Sequence, residues 1–455
     1  MHTLSKSFKS KTLSHLPKPK GTFLLGNLSD FSKNTLQFLT HCSREYSDII
    51  PLQLAFTPVC LLTNPSYIEQ VLNNRELFIK GRFMRLIKIF MGNGLAFSEG
   101  DMWLRQRQMT QPVFHHLRVA AYGEMMVDYT QQMLNTWQDG ETRDIYFDIM
   151  RLASNILMKT IFNLDIADEI AHDIPHALDI TMDWVEIQRR QNYLIPYWVP
   201  TPQNLRHKNA IKQMDKTIYS IINQRQLNNS QDLGDVLSLF IQARNQDNGY
   251  QMTDKELRDQ IVTLMFAGHQ NITNILSWTW VLLSQHPQVE TKLLAELSEV
   301  LDGRVPTIAD LPRLHYTNMI VKEVLRLYPS GYMMFRQSTQ DCEIGGYHIP
   351  AGYNIFLSQW VMHRHPDYFE APDDFQPERW ANNLESKLPK GVYFPFGLGP
   401  RACISGSFAL TQAALLVATI AQKFQLTLAP GYEAVPQVTA SLRPKNGVKV
   451  VLKKR

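Results

Sequence analysis

The stretch from Phe394 to Ala409, FPFGLGPRACISGSFA, presents Cys403 behind a loop with glycines at 397 and 399 and ahead of an apolar helical run. Glycine lets a backbone turn tightly and come close to a flat group. A thiolate at the mouth of a helix gains from the following amide N–H groups and from the positive helix end. A lone cysteine is more often a small buried hydrophobe, so the spacing Phe396-Gly397-x-Gly399-x-Arg401-x-Cys403 carries the signal. Three other patterns hold chemistry. Glu323-x-x-Arg326 puts an acid and a base on one helix face. Trp103-x-x-x-Arg107 puts an indole and a guanidinium one turn apart. FAGHQN, Phe266 to Asn271, sets a glycine and two amides in mid-helix, where glycine costs about 1 kcal/mol relative to alanine.

Together these patterns resemble the cytochrome P-450 family, in the family's order and over nearly the whole chain, from LPKPKGTFLLGN to LRPKNGVKVVL. The resemblance implies a mainly α fold with small β-sheets. It implies one large haem domain over 21–455 behind a flexible basic arm over 1–20, with haem b, iron protoporphyrin IX, as cofactor. Cys403 is then the proximal ligand of the haem iron, with Phe396 in the same cofactor loop. Trp103, Arg107, Arg336 and Arg401 meet the haem propionates, a fitting donor set because guanidinium forks make bidentate, charge-assisted bonds to carboxylates. Glu323 and Arg326 join Arg379, from Pro377-Glu378-Arg379-Trp380, in a buried structural network where loss of one member strands a charge.

By the same resemblance Ala267, Gly268, Gln270 and Asn271 are the catalytic positions of the central helix, above the distal haem face. Small residues at 267 and 268 leave room for dioxygen and water. The family's acid-then-threonine pair, which relays protons during dioxygen activation, is here Gln270-Asn271. Neither amide titrates near neutral pH, and Thr273 and Ser277 lie off that helix face. The first reading is a monooxygenase that oxidises a lipophilic substrate with dioxygen, Asn271 donating to the oxygen. The alternative is an atypical haem-thiolate reaction: oxidative coupling, desaturation or peroxide rearrangement. The third is a non-catalytic haem sensor.

The resemblance places Phe90, Leu95, Phe266, Met333, Met334 and Leu442 around the substrate pocket. They are apolar and, for methionine, adaptable, which suits a terpenoid, fatty acyl or aromatic compound of secondary metabolism. Electrons are expected from a separate ferredoxin or flavodoxin with its reductase, steered by Arg105, Lys387 and Lys390. His115-His116 and His363-x-His365 do not read as metal ligands, the first pair pointing to different sides of a helix.

The elements that must position these residues follow from periodicity. Apolar residues at three- and four-residue steps make 66–315 overwhelmingly helical, with no strand-helix alternation to suggest a doubly wound sheet. The longest helix opens at the capping box Thr253/Glu256 and stops at Pro287, crossing roughly 50 Å. A second well-punctuated helix is expected from Asp310-Leu311-Pro312 to Tyr328. Short alternating runs over 50–55 and 59–63 predict a hairpin about Thr57-Pro58, and the tail LRPKNGVKVVLKKR predicts another.

Bulk composition narrows the classes further. A net charge of +4 over 455 residues makes no nucleic-acid footprint. Four cysteines far apart make neither a disulfide framework nor a zinc ribbon. No apolar run is long enough to serve as a stable membrane anchor, and Phe408 to Phe424 is broken by Thr411, Gln412, Thr419 and Gln422. The expectation is a monomeric, cytoplasmic bacterial protein. The acid-free, lysine-bearing first 29 residues leave organelle import as the lesser alternative.

Overall fold

Thr253 opens the longest helix because its hydroxyl accepts the Glu256 N–H at 3.2 Å while the Glu256 carboxylate accepts the Thr253 N–H at 2.8 Å. This satisfies two donors that a helix start leaves orphaned. The helix runs Asp254–Gln285 and closes at His286, with Pro287 at the first position of the next helix, Pro287–Leu301. The computed structural model describes residues 11–81, 84–165, 169–190, 195–227, 233–245 and 252–455.

By their internal contacts the residues form two units, each entered three times by the chain, so neither is a separable stretch of sequence. The first comprises the residues up to Arg85, Tyr332–Pro372 and Glu385–Cys403. At its centre is a five-stranded sheet in the order Ile49–Leu54, Thr57–Leu62, Asn354–Leu357, Met334–Ser338, Phe78–Ile79. The predicted first hairpin turns at Ala55-Phe56, two residues earlier than expected. Ala55 takes φ +50° there, and Pro58 sits inside the strand opposite Gln53.

The arm expected over 1–20 is corrected in its second half; residues 1–10 lie outside the described residues. Lys11–Thr12 pairs in parallel with Tyr347 and His348, and Leu13 is buried. Backbone pairing plus one buried leucine holds down a stretch whose composition reads as solvated.

The second unit is helical: 86–331, 373–384 and 404–455. The central helix is buried nearly all round and packs against Ile145–Phe162. The helix carrying Glu323 is shorter than expected, His315–Leu327, because Asp310 is consumed by a separate turn. Its carboxylate accepts from Thr307 N–H, Thr307 Oγ1, Arg304 and Arg313. The C-terminal tail is likewise not one hairpin. Leu442–Pro444 pairs with Pro436–Val438, and Lys449–Lys454 pairs with Phe424–Leu428 and Thr142–Asp144.

Glu169–Arg190 and Pro202–Leu227 pack as a pair around His207, whose ring stacks on Trp184 at 4.6 Å and bonds Thr181 Oγ1 and Tyr197 Oη. Burial holds this imidazole down at about 4, so the native state refuses a proton that the unfolded chain accepts below about 6.5. Stability is therefore complete above about pH 6.5 and falls as the pH drops toward 4. In urea unfolding, His207→Gln should flatten that decline by about one proton's worth, ~1.4 kcal/mol per pH unit.

Candidate functional site

Within the first unit, the loop before Cys403 is shaped by its glycines. Gly397 and Gly399 have φ +74° and +73°, and a Cβ at 399 would fall 2.5 Å from the Leu72 carbonyl oxygen. Only glycine fits there. The turn closes as Cys403 N–H donates to Phe396 O at 2.7 Å and Ala402 N–H to Gly399 O at 3.0 Å. Its upstream end is held by His363, fully buried, whose Nε2 accepts the Phe394 N–H at 3.0 Å. His363 is thus a structural support, consistent with reading His363-x-His365 as no metal site.

Cys403 is the exposed member of the four cysteines, whereas burial pushes Cys42 and Cys60 up to about 12. Arg401 and Phe396 are half-buried in the same loop. Arg336, only 4% exposed, lies on Met334–Ser338 opposite Ile355, and its Nη1 donates to Phe335 O at 2.8 Å. Met333 is buried. Met334, expected in the substrate pocket, lies beside the cysteine loop: a Cβ at Gly397 would come within 3.3 Å of its Cε.

Within the second unit, Glu323 is fully buried and accepts five hydrogen bonds. They come from Arg326 Nε and Nη2 (2.9 and 2.8 Å), Arg379 Nε (2.8 Å), Trp380 Nε1 (2.8 Å) and the Gln376 N–H (3.0 Å). The expected Glu323–Arg326–Arg379 network is present and includes two donors, Trp380 and Gln376, that the acid-base pattern alone did not indicate.

A Cβ at Gly268 would lie 2.6 Å from Leu157 Cδ2, the end of a flexible side chain, and Gly268 lines a small cavity with Ala267, Leu157 and Phe408. The open strip is Ala267 and Asn271, exposed one turn apart in a helix whose centre is otherwise largely buried. Asn271 Nδ2 donates to Ala267 O at 2.7 Å, leaving its second amide N–H and Oδ1 for another partner. Gln270 is buried and turned elsewhere, its Oε1 accepting Ser441 Oγ–H at 3.0 Å.

Asp259 and Gln260, farther up the helix, hold the preceding loop: their side chains accept the Asn93 and Leu95 N–H groups at 2.8 and 3.2 Å. A Cβ at Gly92, φ +71°, would collide with the Asp259 carboxylate. Phe90 meets Phe266 with ring centroids 6.5 Å apart. Trp103 is buried and Arg107 half-buried on Gly100–Thr110. Between them Gln106 donates to Asn93 O at 2.9 Å and accepts from Ser98 Oγ at 2.6 Å.

Comparisons with known proteins agree along the length of the chain. The profile of the family described as Cytochrome P450 matches residues 16–452. Cyclooctatin synthase of Streptomyces melanosporofaciens is 33% identical over 429 residues, 94% of this chain and 93% of that protein. Cyclooctat-9-en-7-ol 5-monooxygenase of the same organism is 34% identical, covering 91% and 90%. Pentalenene oxygenase of Streptomyces avermitilis is 28% identical, covering 93% and 94%. In fold, the crystal structure of the cytochrome P450DA heme domain superposes with a TM-score of 0.86 at 24% identity, over 97% of this chain and 98% of that one.

Removing Glu323 would leave Arg326 charged in a dry site, so Glu323→Ala should cost about 3–5 kcal/mol in urea unfolding. Lys292 and Glu378, a half-exposed pair in the same unit, provide the control: Lys292→Ala should cost under about 1 kcal/mol.

Proposed function

Since the chain belongs to the cytochrome P450 family, we propose that it is a haem-thiolate monooxygenase acting on a terpene-like substrate, with iron protoporphyrin IX held by Cys403. That it is an oxidoreductase of the monooxygenase kind with haem iron follows from the family and its named relatives. The site residues and the substrate class are our reading.

The observation that carries it is Cys403 itself: an exposed thiol on a loop fixed by two left-handed glycines and by His363. The residues present fit the cofactor. A thiol at the end of a loop fixed by Gly397 and Gly399 suits an iron ligand, a buried Arg336 and the half-buried Arg401 and Arg107 suit carboxylates, and the small Ala267 suits a helix that must clear a flat group. When bound, thiolate-ligated haem iron supplies dioxygen activation for insertion into a C–H bond.

The chain's own residues bind, orient and hold protons. By the family resemblance Trp103, Arg107, Arg336 and Arg401 would hold the propionates. Ala267 keeps side-chain bulk away from the reacting space. Asn271, fixed by Ala267 O, offers one amide N–H and Oδ1 to a water or an oxygen-bearing ligand. Neither 270 nor 271 carries a carboxyl group, so protons enter through water or substrate hydroxyls. That same lack favours, as second reading, coupling, desaturation or peroxide rearrangement; nothing observed favours a sensor.

Relatives named for cyclooctat-9-en-7-ol and pentalenene support a terpene-like substrate and a bacterial setting, and the apolar Phe90, Leu95 and Phe266 are consistent with it. Among the described residues no helix is long and apolar enough to cross a membrane. For a ferredoxin or flavodoxin partner, Arg105 and Lys387 are exposed, and Lys390 pairs with Glu69 at 3.7 Å.

The reduced, carbon-monoxide-treated holoprotein should show the far-red-shifted Soret band of thiolate ligation, and Cys403→Ser should lose it. With a surrogate redox system and labelled dioxygen, label should enter the product of pentalenene. Consumption of substrate without label would favour the second reading, as would little wild-type oxygenation that rises strongly in Asn271→Thr.

A further inference from the structure

Gln270, Asn274 and Trp278 stand at i, i+4 and i+8 of the central helix, one above another on a single face. All three reach the same target, the tip of the hairpin formed by Pro436–Val438 and Leu442–Pro444. Ser441 Oγ accepts from Asn274 Nδ2 at 3.0 Å and donates its only proton to Gln270 Oε1 at 3.0 Å. The Leu442 carbonyl accepts from Trp278 Nε1 at 3.4 Å. Trp278 is itself locked, stacked on Tyr328 with centroids 3.8 Å apart and planes 5° apart. From the other side Leu442 N–H donates to Ser330 O at 2.9 Å, and Ser330 Oγ–H to Asn271 O at 3.3 Å. The hairpin tip is thereby tied to the helix on both flanks of Leu442, which is fully buried.

We propose that Gln270 is a positioning residue for substrate, the outer member of a clamp with Asn274 and Trp278 that holds Ser441-Leu442, and not a member of a proton path. Its carbonyl oxygen is occupied by a hydroxyl that has no second proton to pass on, and its side chain lies about 100° round the helix from the Ala267–Asn271 strip. The clamp sits one residue from Asn271 and fixes the depth of Leu442, so it decides how large a ligand the site admits. This inference rests on the haem reading above only where it says what Leu442 faces; the clamp stands on its own hydrogen bonds.

The test uses the full-length holoprotein as wild type, Gln270→Ala, Gln270→Glu and Ser441→Ala. Backbone hydrogen exchange over 436–444 and the Soret-monitored Kd for 4-phenylimidazole are read alongside the reduced carbon-monoxide spectrum. Gln270→Ala, which loses one buried hydrogen bond, should speed exchange at the hairpin about tenfold, and Ser441→Ala, which loses two, at least as much; each should shift the azole Kd by about threefold or more in the same direction. Gln270→Glu keeps an acceptor for Ser441 and should recover part of both relative to Gln270→Ala, short of wild type by the cost of a buried carboxylate, with the thiolate band retained throughout. Unchanged hairpin exchange and azole affinity in Gln270→Ala would overturn the clamp. So would loss of protection spread along the whole central helix, which marks a general folding role. A wild type without the thiolate band would overturn the haem reading and the pocket role of Leu442, while hairpin exchange still reports on the clamp.

Discussion

The Glu323 carboxylate is the interaction on which the second unit's geometry depends most. A buried anion is tolerated only where its lone pairs are filled by donors and its charge is met by cations, and here both arginines, an indole and a backbone N–H converge on it. The helix His315–Leu327 supplies the acid and one base, and the segment 373–384 supplies the rest. Such a site is an all-or-nothing construction: with every donor in place it fixes the path of the chain, and with one missing it is worse than an apolar contact. Because Arg326 also donates to Asp374 O at 2.9 Å, the backbone of that segment is held as well as its side chains.

The central helix meets the related problem of buried polar groups with charge near its start, where Arg258 pairs with Asp259 and Asp215, and without charge over 270–278, where amides and an indole are aimed at one hairpin. An acid at 270 could accept the Ser441 hydroxyl equally well, but it would add a desolvated charge beside a hydroxyl and an amide, neither of them a cation. The neutral residue avoids that cost. On the neighbouring strip Asn271 is braced by the Ala267 carbonyl one turn back while retaining donor and acceptor capacity.

What was legible from the sequence is what depends on short spacings. The capping box at Thr253 and Glu256, the Glu323-x-x-Arg326 pair and the glycine loop before Cys403 each write their geometry within a few residues, and each forms as read. What was not legible depends on partners far along the chain. Gly268 reads as space beside the helix, but that Leu157 borders the space is written more than a hundred residues away. Gln270 reads as a catalytic position until Ser441 takes its oxygen. Lys11–Thr12 reads as a solvated arm, although strand pairing needs only backbone groups and Tyr347 supplies them. In each case local composition was right about the residue's character and silent about the neighbour that uses it.

The same distinction explains how this fold keeps a thiol available. Buried in apolar surroundings, a cysteine is driven toward its neutral form, as Cys42 and Cys60 are. An exposed loop, left to itself, would be mobile and its sulfur poorly placed. Here the supports are buried while the thiol is not: His363 grips Phe394 from within the core, Leu72 and Asn73 close on Gly399, and the Cys403 N–H returns to Phe396. Rigidity of the Cys403 loop is thus supplied largely by residues remote in sequence, His363 and Leu72 among them, and not by the loop's own composition.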